Sequence, residues 1–78
     1  MLEKKIRLRA VDDVCEFVQA AEKCDFNVNI FSNKMMINAK SILGVMSIDL
    51  TKTLTVKYGM RNGEFEQVLD KFAVVQSL

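Results

Sequence analysis

Between Thr53 and Tyr58 polar and apolar residues alternate without a break: Thr53, Thr55 and Lys57 against Leu54, Val56 and Tyr58. A strand turns successive side chains to opposite faces, so this stretch demands a sheet with one dry face and one wet face. The whole strand reads as Thr51 to Tyr58. The same period opens the chain over Leu2–Arg9, where Ile6 and Leu8 face one way and Lys5, Arg7 and Arg9 the other. Lys4 interrupts the pattern, which predicts an edge position or a frayed start. Phe26, Val28 and Ile30 alternate with Asn27, Asn29 and Phe31 as a further strand. Ser32-Asn33-Lys34 reads as a tight turn in which Asn33 takes a positive φ. Met35 to Ala39 returns as the other arm of a hairpin.

A second period separates these strands. Val14, Phe17, Val18 and Ala21 recur at helical spacing and give one apolar stripe. Asp13 reads as the N-cap, with Glu16 three residues later completing a capping box, and the helix ends near Lys23-Cys24-Asp25. Phe65, Val68, Leu69 and Phe72 mark a last helix capped by Asn62, with Ala73 and Val75 widening its stripe. Between the third and fourth strands, Ser41 reads as the N-cap of a short helix from Ile42 to about Ser47. Gly44 inside it costs about 1 kcal/mol relative to alanine, so packing must hold it. Ile48 and Leu50 anchor its exit. The order is β-α-β-β-α-β-α. An α+β architecture follows, with a mostly antiparallel sheet covered on one face by helices.

Composition narrows the function. Seventy-eight residues, half of them apolar and 27% charged, suit a single domain spanning 1–78. Neither a linker composition nor an internal repeat divides the chain. Eleven basic against ten acidic residues leave a net charge of +1. Such a balance gives no field to draw in nucleic acid. A basic stripe of Lys5, Arg7, Arg9 and Lys57 on the open sheet face reads as a solvated face without interleaved aromatics. No apolar run approaches the roughly 20 residues that span a bilayer. MLEKKIRLR lacks the apolar core of a signal peptide, so a cytoplasmic protein that ends without a tail is expected. With no histidine, Cys/His metal sites and histidine acid–base catalysis are out of reach. Neither a cofactor nor a metal, and no enzymatic activity, is expected. Cys15 and Cys24 read as residues of one helix, about 13 Å apart along its axis on opposite faces, which excludes a disulfide between them.

The segment Ala39-Lys40-Ser41-Ile42-Leu43-Gly44-Val45-Met46-Ser47 resembles the regulatory-serine segment of the HPr family, the small phosphocarriers of the bacterial sugar phosphotransferase system. Phe17-Val18-Gln19-Ala20-Ala21 resembles that family's first helix, and the element order matches. The resemblance implies an HPr-like open-faced β-sandwich with a four-stranded antiparallel sheet of order 1-4-2-3. The chain departs from the family where it matters most. The family carries phosphate on a histidine before the first helix, followed closely by arginine and proline. Here a shortened loop, Val11-Asp12-Asp13-Val14, has none of the three. The carrier chemistry is therefore not expected.

What the resemblance leaves is the serine. In relatives the residue matching Ser41 is phosphorylated by a serine kinase/phosphorylase, and the product acts with a catabolite-control transcription regulator. The apolar residues that follow form the docking surface. They correspond here to Ile42, Leu43 and Met46, with Lys40 beside them. One or two of these three apolar residues are expected to be buried. Phosphorylation would switch a partner, not the fold, since a helix start tolerates added negative charge. Other readings stay open. Ser41 can be a cap alone. The chain can be a structural scaffold that self-associates as a homodimer through the same patch. A phosphocarrier with Cys15 or Asp12 as acceptor, exchanging with other phosphotransferase proteins, is the remaining one. It is the weakest reading, because Asp13 and Glu16 oppose a thiolate at Cys15 and two bare carboxylates make a poor anion or metal site.

Overall fold

A computed structural model describes residues 1–74 and contains seven elements: β1 (Leu2–Ile6), α1 (Val11–Glu22), β2 (Val28–Ser32), β3 (Met35–Asn38), α2 (Ile42–Met46), β4 (Leu54–Tyr58) and α3 (Gly63–Phe72). The strands form one sheet in the order β1-β4-β2-β3 with every pairing antiparallel. The element order and sheet order both match the expectation. Asn33 takes φ 54° in the two-residue turn joining β2 to β3.

Strict alternation sets the register. Leu54, Val56 and Tyr58 of β4 are buried beside Val28 and Ile30 of β2 and Ile6 of β1. Val14, Phe17, Val18 and Ala21 of α1, with Phe65, Leu69 and Phe72 of α3, close over that face. Phe65 sits at the centre. Its ring lies 6.1 Å from Phe17 and meets Tyr58 edge-on at 5.4 Å. Aromatic pairs of this kind contribute about 0.5–1.5 kcal/mol beyond their burial. Lys4 shares the helix side of β1 with Leu2 and Ile6, and its ammonium reaches Asp70 of α3. The break in the alternation is thus a cation leaning out from under a helix, as long stems do. Beyond β1, Leu8 keeps the alternation and is fully buried.

Four local expectations are corrected. The first concerns α1, which begins at Val11, so Val11 to Val14 form its first turn rather than a loop. Ala10 is the N-cap and contributes no side-chain bond, and there is no Asp13–Glu16 capping box. Asp13 lies inside the helix and accepts from Arg9 N at 3.0 Å, while Glu16 accepts from Lys71 Nζ at 2.8 and 3.1 Å. A carboxylate in a first turn can serve the chain behind it as well as the helix ahead, and the spacing alone does not distinguish the two.

The cysteines are the second correction. Cys15 lies in the second turn of α1, and Cys24 follows the helix beyond its cap Lys23; both are free thiols. Burial pushes the Cys24 thiol up, with the Lys40 ammonium opposing. Third, Ala73 is extended and does not continue α3. It bridges to Ile6, while Arg7 N donates to Phe72 O at 2.9 Å and Val74 N to Lys5 O at 3.0 Å. Val75 lies outside the described residues. Fourth, an aromatic does stand on the open sheet face, because Lys57 Nζ lies 4.7 Å from the centre of the Phe31 ring.

Candidate functional site

The segment after β3 is held at three points. Ala39 is fully buried and donates its N–H to Val28 O at 2.9 Å. Asn38 Oδ1 accepts from Lys40 N at 2.9 Å and Asn38 O accepts from Ser41 N at 3.0 Å, which turns the chain out of the sheet. The Lys40 ammonium donates to Cys24 O at 2.8 Å. Lys40 therefore ties the end of α1 to the start of α2.

Ser41 is extended, with φ −100° and ψ 106°, and its Oγ accepts from Gly44 N at 3.2 Å. Ser41 O accepts from Val45 N at 3.0 Å. This is an N-cap in the ordinary sense, as the sequence indicated. The hydroxyl is exposed. Its one bond uses an oxygen lone pair and leaves the O–H free to donate.

The close approach of α2 to β3 requires Gly44. A Cβ built there would stand 2.9 Å from Ile37 Cγ2, inside any real contact distance. Val45 is the one residue of α2 that is fully buried. At the exit Ser47 Oγ donates to Gly44 O at 2.6 Å, and Ile48 is buried as expected. Asp49 Oδ1 accepts from both Thr51 N and Thr51 Oγ1, and these bonds hold its carboxyl below the ordinary carboxylate range.

Ile42, Leu43 and Met46 are all exposed, at 42%, 82% and 44%. The expectation that one or two would be buried does not hold. With Gly44 pressed against Ile37 and Val45 inward, a five-residue helix has one inner side, and those three residues are off it. Ser41 and the three apolar side chains thus share an accessible end of the molecule.

The start of α1 is built differently. Asp12 is exposed, Asp13 faces back to Arg9, and an open groove of about 560 Å³ lies beside them, lined by Arg7, Arg9, Asp13, Thr53 and Lys71 among others. Two of its three cations are already engaged: Arg7 Nη2 donates to Thr51 O and Lys71 binds Glu16. Cys15 is half-buried. Among the described residues, no group of three or more His, Cys, Asp or Glu side chains is placed to hold a metal. No described helix is long and apolar enough to cross a membrane.

A four-stranded sheet of order β1-β4-β2-β3 with helices on one face and a serine-capped short helix after β3 defines the open-faced sandwich of phosphocarrier type. The family model for the PTS HPr component phosphorylation site matches residues 13–75. The chain belongs to that family, the HPr-type proteins of the phosphotransferase system. It is similar to HPr-C-His from Thermoanaerobacter tengcongensis, with 25% identity and a TM-score of 0.73 across 91% of this chain and 89% of that one. HPr from Bacillus anthracis shares the fold at 23% identity, with a TM-score of 0.64 and 92% of each chain covered. The catabolite repression protein Crh of Bacillus subtilis is 26% identical, with a TM-score of 0.57 over 86% of this chain and 76% of that one. Its crystal structure is an intertwined dimer with a swapped domain. The sequence has no histidine, so the family's phosphohistidine cannot form here.

Proposed function

We propose that the chain is a single HPr-like domain with a regulatory role, modified on Ser41 and read by partners through the surface of α2. One observation carries this reading. An exposed hydroxyl with a free O–H stands at the head of a helix whose Ile42, Leu43 and Met46 are left to solvent. Contiguous exposed apolar side chains beside a modifiable polar group suit a surface that a partner covers. In the modification, Ser41 Oγ attacks the γ-phosphorus of ATP, ADP leaves, and the hydroxyl proton passes to a base of the kinase. The enzyme is a serine kinase/phosphorylase of the HPr type; this chain is its substrate and not itself an enzyme. The product places up to about two negative charges beside the apolar patch. Readers of that change are a catabolite-control transcription regulator or other phosphotransferase proteins, in the cytoplasm. Lys40 supports the site by holding the head of α2 to Cys24.

Incubation with an HPr-type serine kinase, ATP and Mg²⁺ followed by intact mass tests it. The expected result is a gain of one phosphate, lost in Ser41→Ala. No gain, or a gain that survives Ser41→Ala, removes the reading. A second reading, self-association without modification, is favoured by the likeness to Crh and by the same apolar patch. Light scattering across a concentration series separates them: a dimer weakened by Leu43→Ser supports the second reading.

A further inference from the structure

We propose that the free edge of β3 is a docking site for an extended, acidic segment of a partner protein, which adds to the sheet as a fifth strand. The two edges of the sheet differ. At β1 the outer side is covered by the Ala73–Val74 segment, and the strand itself carries Glu3, Lys4 and Lys5. Charges and covering segments are the usual ways of blunting an edge. At β3 the cover is limited, among the described residues, to the last carbonyl, where Asn38 O accepts from Ser41 N. Met35-Met36-Ile37-Asn38 has no charge, and Met35 and Met36 are 56% and 63% exposed. Ala39 N points to Val28 O, so the alternation of an antiparallel ladder aims the N–H groups of Met36 and Asn38 away from β2.

The charge pattern selects the occupant. Between Asp25 and Asp49 the chain has no carboxylate, and two lysines bracket β3: Lys34 is exposed, while the Lys40 ammonium is held at Cys24 O. A second copy pairing antiparallel would bring the Lys34 end of one strand against the Lys40 end of the other, a like-charge arrangement. A segment with apolar side chains in the middle and carboxylates at its ends fits instead. Met35, on the helix side, and Met36, on the open side, would receive its alternating side chains, and methionine adapts to varied contacts. This site uses the unmodified protein and stands whether or not Ser41 is phosphorylated.

The test is a titration of the unphosphorylated full chain, followed by amide NMR. The probes are a short synthetic peptide of alternating valine and threonine with glutamates at both ends, and its lysine-ended counterpart. The glutamate-ended peptide should shift the Met36 and Asn38 amides and give backbone contacts to β3, and the lysine-ended one should bind severalfold more weakly. Met36→Pro, which removes an outward N–H, should abolish binding while the β1 and β4 signals stay in place. Lys34→Glu, an exposed change that leaves the core alone, should reverse the preference between the peptides. Shifts confined to other elements, or equal binding of the two peptides to both proteins, would overturn the proposal. So would concentration-dependent shifts at Met36 and Asn38 without peptide, which would mean that a second copy covers the edge.

Discussion

The starts of α1 and α2 make opposite use of similar means. At α1 an uncapped Ala10 leads into Asp12 and Asp13, and one carboxylate turns back to hold the incoming chain at Arg9. That start is a structural joint. At α2 the serine closes the helix with a side-chain bond and still offers its hydroxyl to solvent beside three apolar residues. In its family the first position holds the phosphate-carrying histidine and the second the regulatory serine. Here the two differ: one has become architecture, and the other keeps an exposed serine at a helix head, which the proposed modification uses. Carboxylates at the first site suit the helix dipole but repel an anion, so the loss goes beyond one missing side chain.

The comparison can be broken by substitution. Gly44→Val should have the largest effect, a loss of about 1–3 kcal/mol in urea unfolding, because the new side chain must displace Ile37. If it is neutral, α2 is not pinned to β3 and its exposed face is not fixed. Ser41→Ala should cost about 1 kcal/mol, and Ser41→Asp should recover most of that because aspartate also caps. Asp13→Ala should cost about 0.5–1.5 kcal/mol, since it frees the Arg9 N–H; Asp12→Ala, by contrast, should be silent. An equal loss for both would mean that helix charge, not the bond to Arg9, is what matters at α1. Leu43→Ser should stay within about 0.5 kcal/mol in stability because the side chain is 82% exposed, while weakening partner binding.

The start of α3 supplies the finest test. Asn62 Oδ1 accepts from Phe65 N, and Glu66 accepts from Asn62 N, from Arg61 and from Tyr58 Oη–H. Burial, then the bond to Glu66 and its charge, hold the Tyr58 phenol above its ordinary range. The folded state therefore keeps a proton that the unfolded chain gives up near pH 10. This contribution is whole below about pH 10 and is lost as pH rises beyond it. Tyr58→Phe should flatten that part of the alkaline slope in a pH series of unfolding curves, while the loss of the bond to Glu66 lowers stability below about pH 10.

Strict period-two alternation at Leu54–Tyr58 made the sheet and its dry face legible, and the helical stripes at Val14–Ala21 and Phe65–Phe72 placed its cover. Asn33, Asn62 and Ser41 were readable because a turn or a cap needs a particular side chain at a particular place. The misreadings have physical causes. Asp13 can reach backward or forward with equal ease, so spacing could not choose the cap. The bond from Lys40 to Cys24 joins residues sixteen apart and leaves no local pattern. Ala73 looks helical by composition, yet a single bridge to Ile6 decides its conformation. The exposure of Ile42, Leu43 and Met46 depends on how closely Gly44 approaches β3, which a hydrophobic pattern cannot express.

The bridge between Ile6 and Ala73 also bears on how the chain assembles. The first strand pairs with β4 on one side and with the segment after α3 on the other, so neither neighbour exists until most of the chain has been made. During synthesis β1 must wait, its alternating apolar side exposed, while the β2–β3 hairpin can close at once. Folding should therefore begin at the hairpin and finish at β1, a slow order set by distant contacts. Until that last strand docks, the growing chain shows open edges at both β4 and β3; afterwards, among the described residues, β4 is paired on both sides.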